Sequence, residues 1–587
     1  MRARTFGPIL LLAGVAACTV PVPDYPAPTS SIWLDQGWNA NDRAWYHAAD
    51  QGTLTFGVPR EWFMALEQPE VSLNGRQMLA DRAYLDRFGF IPSAGPLPVG
   101  FAGGSGAVKL DTLEPWINPR DGTPFASLGL TCAACLTGRL TYKGTELLVD
   151  GGSALLNLGQ FSKALGLSMW ATNKNPLRWR RFADRVIGSD PPTAADTTLR
   201  AQFETALSRL GWQHDRDVAV KDAIVEEGFG RLDALNRIGN QVFAITTRQA
   251  ENYAATSAPV NFPHIWTATW FDWVQYNGSI EQPMVRNAGE ALGVAAPVNL
   301  TDHTPGKLFA SQMRIRTLVK MERLLAGNAP QNAGKGEFSG LRTPVWPERV
   351  LPHIDRALAA TGEKLYAANC QICHLPAPGN AALWDDKLWA PIGGGYRALQ
   401  LKMVPIAHVG TDPAQAVDMR NRKVVMDPAL GLTSTSFGPA LGQLVEKTVT
   451  RWYDSQTPPV PLAKRAELDG WRPNGIRADL AYKARPLHGI WATAPFLHNG
   501  SVPTLYALLS PLKERPQRFN LGNREFDPVD VGYVTTPIAG DFTLDTTIRG
   551  NFNIGHVFDD GPKGNGIIGP KLSPADRRAL VEFLKTL

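Results

Sequence analysis

Residues 370–374 read Cys-Gln-Ile-Cys-His, and this short run constrains the fold of the chain more than any other feature. Two thiols three positions apart can each add to one vinyl group of a porphyrin, and the adjoining histidine can then ligate the iron. The alternatives are a redox-active thiol pair or half of a zinc site, but no second Cys or His pair follows nearby to complete a zinc tetrad. The sequence therefore predicts covalent haem c at Cys370 and Cys373, with His374 as the proximal ligand.

Helical patterns lie before this motif and at the end of the chain. Apolar residues recur at helical spacing over residues 354–369, which predicts a helix that delivers the thiols to the haem edge. Residues 573–587 combine Ser573 as a cap, Pro574 in the first turn and an apolar stripe, which predicts a terminal helix. We expect these two helices to pack against each other, as the corresponding helices of small cytochromes c do.

A second thiol pair lies in the first half of the chain, where residues 131–138 read Thr-Cys-Ala-Ala-Cys-Leu-Thr-Gly. Cys132 and Cys135 have the spacing for haem attachment, but Leu136 replaces the adjacent histidine and has no lone pair to give iron. Three interpretations stay open. The pair could hold a second haem whose iron is ligated from elsewhere or by water, it could form a disulfide, or it could be a vestigial pair of reduced thiols.

Two other segments bear on these sites. An aromatic block at residues 262–276 contains His264, which is the nearest candidate in the first half for a substitute iron ligand. The block could line a haem pocket or relay electrons, or it could simply pack a core. Residues 139–142 and 146–149 flank Lys143 and Gly144 and predict a β-hairpin beside the second thiol pair.

The length and composition indicate several globular domains. At 587 residues the chain is too long for one core. We divide it into a leader at residues 1–17, a tether and scaffold at 18–125, an N-terminal cytochrome c-like module at 126–340 and a C-terminal cytochrome c domain at 345–587. The Pro- and Gly-containing residues 334–352 are the predicted linker. The formal charge of +5 is not the footprint of a nucleic-acid-binding protein.

The first residues predict export. Two arginines precede an apolar run that is too short to cross a bilayer, and Val-Ala-Ala at residues 15–17 precedes Cys18. This pattern resembles a bacterial lipobox, so we expect cleavage before Cys18 and lipidation of its thiol. The alternative is an ordinary secretory leader with Cys18 lost or left free. With Cys18 set aside, the other four cysteines form the two thiol pairs, so no cysteine is left for a separate structural disulfide.

Further segments resemble a known family. Ala-Pro-Phe-Leu-His-Asn-Gly-Ser at residues 494–501 and Gly-Asn-Arg-Glu-Phe-Asp-Pro at residues 522–528, together with the two thiol motifs, are similar to the di-haem cytochrome c group. That group includes bacterial rubber oxygenases and, more distantly, di-haem cytochrome c peroxidases. The resemblance covers most of the mature chain and implies two haem modules in a mainly α fold with extensive loops and a few short β-hairpins.

The resemblance also implies roles for particular histidines. It makes the C-terminal haem an electron relay with His374 as the proximal ligand and His556 as the distal ligand, and His498 is a competing candidate for the distal position. The N-terminal haem would keep an open face for oxygen or peroxide. Leu136 departs from the family pattern at this haem, because the proximal imidazole that supports oxygen chemistry is missing there.

Two functions from different classes follow from these expectations. The first is an exported haem c oxidoreductase on the periplasmic face of a bacterial membrane, anchored only by lipid, with a redox protein or a small-molecule oxidant as partner. The second is a non-enzymatic, single-haem electron-transfer or binding protein whose N-terminal module is a scaffold. A thiol oxidoreductase at Cys132 and Cys135 ranks last, because the βαβ context typical of such enzymes is lacking.

Overall fold

The computed structural model describes residues 20–70, 77–104, 106–327, 339–377 and 379–587. Helices are the main regular structure, and long loops and small sheets connect them, which confirms the mainly α prediction. The predicted leader at residues 1–17 and Cys18 lie outside the described residues. None of the described helices is both long enough and apolar enough to cross a membrane.

The first four described α-helices are short, and the longest α-helices follow them in the chain. A π-helix at Asn240–Ile245 follows α8 without a break. The α-helices are α1 (Ala40–His47), α2 (Arg60–Ala65), α3 (Arg82–Arg87), α4 (Cys132–Cys135), α5 (Leu158–Lys174), α6 (Pro176–Ile187), α7 (Thr193–Ala219), α8 (Ala234–Gly239), α9 (Pro283–Gly293), α10 (Ile315–Ala326), α11 (Arg356–Asn369), α12 (Gln371–His374), α13 (Ile406–Val409), α14 (Ala414–Asn421), α15 (Phe437–Ser455), α16 (Leu462–Leu468), α17 (Leu505–Leu509) and α18 (Pro574–Leu584).

The strands form small sheets, and the largest described sheet has three strands in the order β1, β5, β4. The other described strands pair two by two. The strands are β1 (Ser30–Trp33), β2 (Phe101–Ala102), β3 (Gly129–Leu130), β4 (Thr137–Tyr142), β5 (Thr145–Asp150), β6 (Arg231–Leu232), β7 (Val260–Asn261), β8 (Trp389–Pro391), β9 (Arg397–Leu399), β10 (Lys402–Pro405), β11 (Ala481–Ala484), β12 (Arg518–Leu521), β13 (Phe526–Asp527), β14 (Gly532–Tyr533), β15 (Phe542–Asp545), β16 (Val557–Phe558) and β17 (Ile567–Gly569).

The hairpin of β4 and β5 directly follows the second thiol pair. Its strands are antiparallel, with Thr141 opposite Glu146, which confirms the predicted hairpin. Lys143 and Gly144 form the two-residue turn with φ of 48° and 82°, the left-handed geometry that matches the twist of two-residue hairpins. The hairpin therefore fixes the chain immediately after α4.

Helices α11 and α18 pack against each other, as predicted, and bring the end of the chain to the haem motif. They approach closely at Gly362, where an added Cβ would lie only 2.0 Å from the Ala579 carbonyl oxygen. The Tyr366 and Phe583 rings contact each other beside this point, with centroids 5.2 Å apart and planes inclined by 51°. Ser573 and Asp576 form a capping box at the start of α18, so the predicted N-terminus of that helix is confirmed.

The predicted linker at residues 334–352 is not a solvated connection over its described part. Leu341 and Trp346 are buried in the largest hydrophobic core. The Arg342 backbone N–H also donates to the Gln36 carbonyl at 2.9 Å. This core contains residues from both halves of the chain, such as Trp62 and Trp491, so the two halves share apolar packing.

Candidate haem sites

The C-terminal thiol pair lies at the end of α11, where the helical path continues through the motif. The Cys370 N–H donates to the Tyr366 carbonyl at 2.8 Å, and the His374 N–H donates to the Cys370 carbonyl at 2.9 Å. These bonds place Cys370, Cys373 and His374 on one turn of backbone. Both thiols are free. The local sequence therefore presents the two thiols and the imidazole together, as covalent haem attachment requires.

A backbone carbonyl determines the tautomer of His374. Its Nδ1 lies 2.8 Å from the Arg485 carbonyl oxygen, which can only accept, so Nδ1 carries the proton. The lone pair is then on Nε2, the arrangement typical of a metal-ligating histidine. Burial lowers the pKa of His374, which further favours the neutral ring.

His556 faces His374 across the site. The two ring centroids are 6.1 Å apart and the ring planes are inclined by 64°. A metal–imidazole nitrogen bond is about 2 Å, so two imidazoles on one metal ion have centroids roughly 6 Å apart. The His556 Nδ1 is buried and finds no hydrogen-bond partner among the residues that the structure describes. Burial, with His374 as a smaller cause, lowers the pKa of His556 to about 3, so the ring is neutral and keeps a lone pair.

The backbone at His556 is held in an uncommon conformation. Its φ is 47°, in the left-handed region that a residue with a Cβ adopts only when its surroundings impose it. The N–H of His556 donates to the Val409 carbonyl at 2.8 Å. Gly555 approaches Gly410 so closely that an added Cβ would lie 2.2 Å from the Gly410 carbonyl carbon. These contacts aim the ring at His374.

Arg515 holds the same segment from the other side. Its guanidinium donates to the carbonyls of Asn553, Gly555 and His556 at 2.6–2.9 Å, and to the Leu508 carbonyl at 3.0 Å. Sequence analysis did not identify Arg515, because its partners are backbone atoms 38 to 41 residues later in the chain. The only signal in the sequence is that an arginine precedes the segment that contains Gly555 and His556.

His498, the competing candidate, lies in a different environment. Its ring stacks on Tyr482 with centroids 4.1 Å apart and contacts the edge of Tyr276. The His498 carbonyl accepts from the Asn261 backbone N–H at 2.9 Å, which ties residues 494–501 to β7. The structure thus brings His556, and not His498, into ring contact with His374.

The second thiol pair occupies α4, a single turn capped by the Thr131 side chain. The Leu136 side chain packs against the largest core, and its carbonyl accepts from the Tyr46 hydroxyl at 2.7 Å. Both thiols are free in the structure, and Gln51 Nε2 donates to the Cys132 sulfur at 2.9 Å. The pair could form two thioethers, but the residue that follows it offers no donor to an iron.

The environment of these thiols disfavours thiol redox chemistry. Burial is the main cause that raises the pKa of Cys132 and of Cys135 to about 12, with the Glu290 carboxylate, and for Cys135 also Cys132, as smaller causes. The thiolate is the reactive form of cysteine, and redox-active pairs have a lowered pKa. Protonated, partly buried thiols therefore weigh against a thiol oxidoreductase.

His264 lies on a segment next to α4. The Ala154 N–H donates to the Cys135 carbonyl at 3.1 Å, and the Ile265 N–H donates to the Gly151 carbonyl at 2.9 Å, so residues 151–154 separate the two. The His264 ring stacks on Trp266 with centroids 4.4 Å apart. Its Nε2 is buried and has no partner in the described part of the chain. No group of three or more metal-binding side chains forms among the described residues.

Comparison with known proteins agrees with this geometry. A family model described as RoxA-like, cytochrome c-like matches residues 481–520, which contain Arg485 and Arg515. This match supports a RoxA-like cytochrome c-like domain in the C-terminal half, and it suggests haem-based electron transfer.

The chain belongs to the same family as the uncharacterized protein y4iJ of Sinorhizobium fredii, to which it is 51% identical over the full length of both chains. It is also 30% identical to the uncharacterized protein y4iM of the same organism, over 40% of this chain and 49% of that one.

Proposed function

We propose that this protein is an exported haem c redox protein in which a haem attached at Cys370 and Cys373 transfers electrons. The observation that carries the proposal is the facing pair of His374 and His556, whose ring centroids are 6.1 Å apart. His374 and His556 would together hold the iron of a bound haem, and a haem held by two histidines would supply electron transfer and not a binding site for oxygen or peroxide. Electron transfer is the chemistry that such a site supports.

The residues around the pair hold and orient the two ligands. The Arg485 carbonyl keeps the proton of His374 on Nδ1, and Arg515 holds the carbonyls on either side of the His556 ring. Bound haem c supplies a one-electron redox centre. Because both rings are pre-positioned by backbone contacts, the chain presents its ligands with little rearrangement, which suits rapid electron transfer.

A second haem at Cys132 and Cys135, with oxidation that depends on O2 or peroxide, is the finer part of the proposal. The family resemblance and the two free thiols on one turn support it. Its iron ligand would be water or a side chain from another segment, because Leu136 cannot serve. His264 is the candidate, since its neutral Nε2 is buried without a partner among the described residues and its segment adjoins α4.

Mass spectrometry of the mature protein tests the number of haems. We expect two covalent haems in the native chain and one after Cys132→Ser with Cys135→Ser, whereas Cys370→Ser with Cys373→Ser should retain the other. The same spectrum shows whether Cys18 carries lipid, which tests anchoring on the periplasmic face of a bacterial membrane. A single haem that is unaffected by replacing Cys132 and Cys135 contradicts the two-haem version.

Visible and electron paramagnetic resonance spectra test the axial ligands. His556→Ala should convert the low-spin signal of the C-terminal haem to a high-spin or mixed signal, because one axial ligand is lost. His498→Ala is the matched control, since that buried imidazole stacks on Tyr482 instead. An unchanged low-spin spectrum in His556→Ala would show that another residue is the ligand.

The second candidate function is a single-haem electron-transfer or binding protein. The packing of Leu136 into the core and the hydrogen bond from Gln51 to Cys132 favour it, because both contacts suit a thiol pair that serves as scaffold. It predicts one haem per chain by pyridine haemochrome assay and no turnover of O2 or peroxide. Its electron partner would be a redox protein, as in the first proposal.

A further inference from the structure

Two cationic side chains project from the strand that supports the proximal histidine. Lys483 lies on β11 and Arg485 directly follows it, so their side chains, two positions apart in extended chain, share one face. The Lys483 Nζ and the Arg485 guanidinium carbon each lie 5.4 Å from the centroid of the Phe271 ring. Both cations therefore border one small region.

Neither cation has an acidic partner within the described ranges. No ion pair involves either side chain there, and Arg485 Nη2 donates only to the His264 carbonyl, at 2.9 Å. The Arg485 Nε is buried and unpartnered in the same residues. The charged and titratable groups that face them from the neighbouring elements are two cations, Arg286 and Arg477, one acid, Asp272, and the Tyr276 phenol.

Two buried histidines border the same region. His264 and His488 are 5% and 3% exposed. The Nε2 of His264 and both ring nitrogens of His488 are buried with no hydrogen-bond partner in the described chain. Trp266 joins the two, because its ring stacks on His264 and its Nε1 donates to the His488 carbonyl at 2.9 Å. Four side chains thus bring unused polar atoms to one place.

Such an arrangement is energetically unfavourable unless a negatively charged group binds to it. Burial of a charge without a partner is strongly unfavourable, and buried polar atoms are normally hydrogen-bonded. Burial lowers the pKa of Arg485 to about 10, and burial together with the nearby positive charge of Arg485 lowers the pKa of Lys483 well below its usual value. A guanidinium beside an ammonium matches a planar carboxylate, which accepts hydrogen bonds from both.

We propose that Lys483 and Arg485, together with His488, form a binding site for a carboxylate group, which His264 borders. The site lies directly behind the haem ligand, because the Arg485 carbonyl accepts from His374 Nδ1. Two sources of a carboxylate are compatible with this position. One is a propionate of a haem bound to this chain, which rests on the proposed function, and the other is a small-molecule carboxylate that does not depend on haem.

The test uses the full-length, haem-loaded protein with three variants. Lys483→Met removes the ammonium, Lys483→Arg keeps a cation, and Lys364→Gln removes an exposed lysine from α11 as the matched control. One arm titrates sodium acetate and sodium benzoate by calorimetry. The other follows the reduction potential of the haem as a function of pH, which reports ionisation of a propionate.

A small-molecule site predicts saturable binding of acetate or benzoate that Lys483→Met weakens at least about tenfold and Lys483→Arg largely restores. A propionate site predicts no such binding, and in Lys483→Met the ionisation seen in the potential moves up by about one pH unit, because a cation that favours the carboxylate is lost. Either result supports the proposal when Lys364→Gln behaves as wild type.

The proposal is overturned if no carboxylate binds and the pH dependence of the potential is the same in all four proteins. An effect of equal size in Lys364→Gln would also overturn it, since the response would then reflect total charge. Failure of the haem proposal is seen separately, as a missing pyridine haemochrome signal. In that case the calorimetric arm still decides whether the site binds a carboxylate.

Discussion

Replacing Arg515 with methionine should release His556 from the proposed C-terminal haem site without changing either proposed ligand, His374 or His556. The guanidinium is buried and donates four hydrogen bonds, at 2.6–3.0 Å, to backbone carbonyls on either side of His556 and on α17. Methionine has a similar length and no donor, so the carbonyls would lose their partners while much of the apolar packing remains.

The size of the effect follows from two opposing contributions. A hydrogen bond from a charged donor contributes about 1.5–3 kcal/mol, and four such bonds set an upper limit near 6–12 kcal/mol. Against this, burial lowers the pKa of Arg515 to about 10, so the folded state already carries a desolvation penalty that methionine removes. Partial rehydration of the carbonyls reduces the loss further, and we expect a decrease of about 3–5 kcal/mol in the free energy of unfolding.

Denaturant titration of the haem-loaded protein measures the stability, and the low-spin fraction measures ligation by His556. The matched control is Arg518→Met, because Arg518 is largely exposed and pairs with Asp545 at the surface, where such a pair contributes about 1 kcal/mol or less. If Arg515→Met loses no more stability than Arg518→Met and stays low-spin, the guanidinium does not hold His556 in place.

Three further predictions concern packing, pH and the second thiol pair. Gly362→Val should lower the yield of haem-loaded protein and destabilise it by about 2 kcal/mol or more, because its Cβ would meet the Ala579 carbonyl at 2.0 Å; thermal unfolding measures this. Burial lowers the pKa of His488 to about 3, so between pH 3 and its ordinary pKa of 6.5 the unfolded chain binds a proton that the folded chain does not. The stability of the protein is therefore unaffected by this group above pH 6.5 and falls by at most about 1.4 kcal/mol per pH unit toward pH 3. His488→Phe should flatten that part of a plot of unfolding free energy against pH. Alkylation of unfolded, haem-free chains should label Cys132 and Cys135 faster than folded ones at pH 8, since burial raises both pKa values to about 12; equal rates would contradict the burial.

Local patterns predicted what short stretches of chain determine. The helix before Cys370, the capped terminal helix at Ser573 and the hairpin around Gly144 all follow from caps, turn residues and periodicity, and each is present. The packing of α11 on α18 was also predictable, because in small cytochromes c a terminal helix of this kind packs against the helix that leads into the haem motif. What the pattern could not indicate is that Gly362 is the point of closest approach.

Long-range contacts to backbone atoms account for what the sequence did not reveal. Arg515 and the Arg485 carbonyl shape the haem site through main-chain oxygens, and any residue type supplies such an oxygen. The predicted linker shows the same limit. Its prolines and glycines indicated a connection between domains, but they did not indicate that Leu341 and Trp346 are buried in a core that both halves share. Whether a proline-containing segment is buried depends on which other residues pack against it, and the composition of the segment itself does not indicate that.

The two thiol pairs differ in the residue that follows them, and this difference determines which chemistry each pair can support. At Cys370 the path of the helix continues to His374, and a carbonyl 111 residues away sets the tautomer of that ligand. At Cys135 the chain turns at Leu136 into β4, and the side chain that would face an iron packs into the core instead. A side-chain ligand for a haem at Cys132 and Cys135 must therefore come from a segment such as that of His264, which Arg485 also contacts. Arg485 then contacts residues of both proposed sites, so a change of charge or ligation at one of them should affect the other.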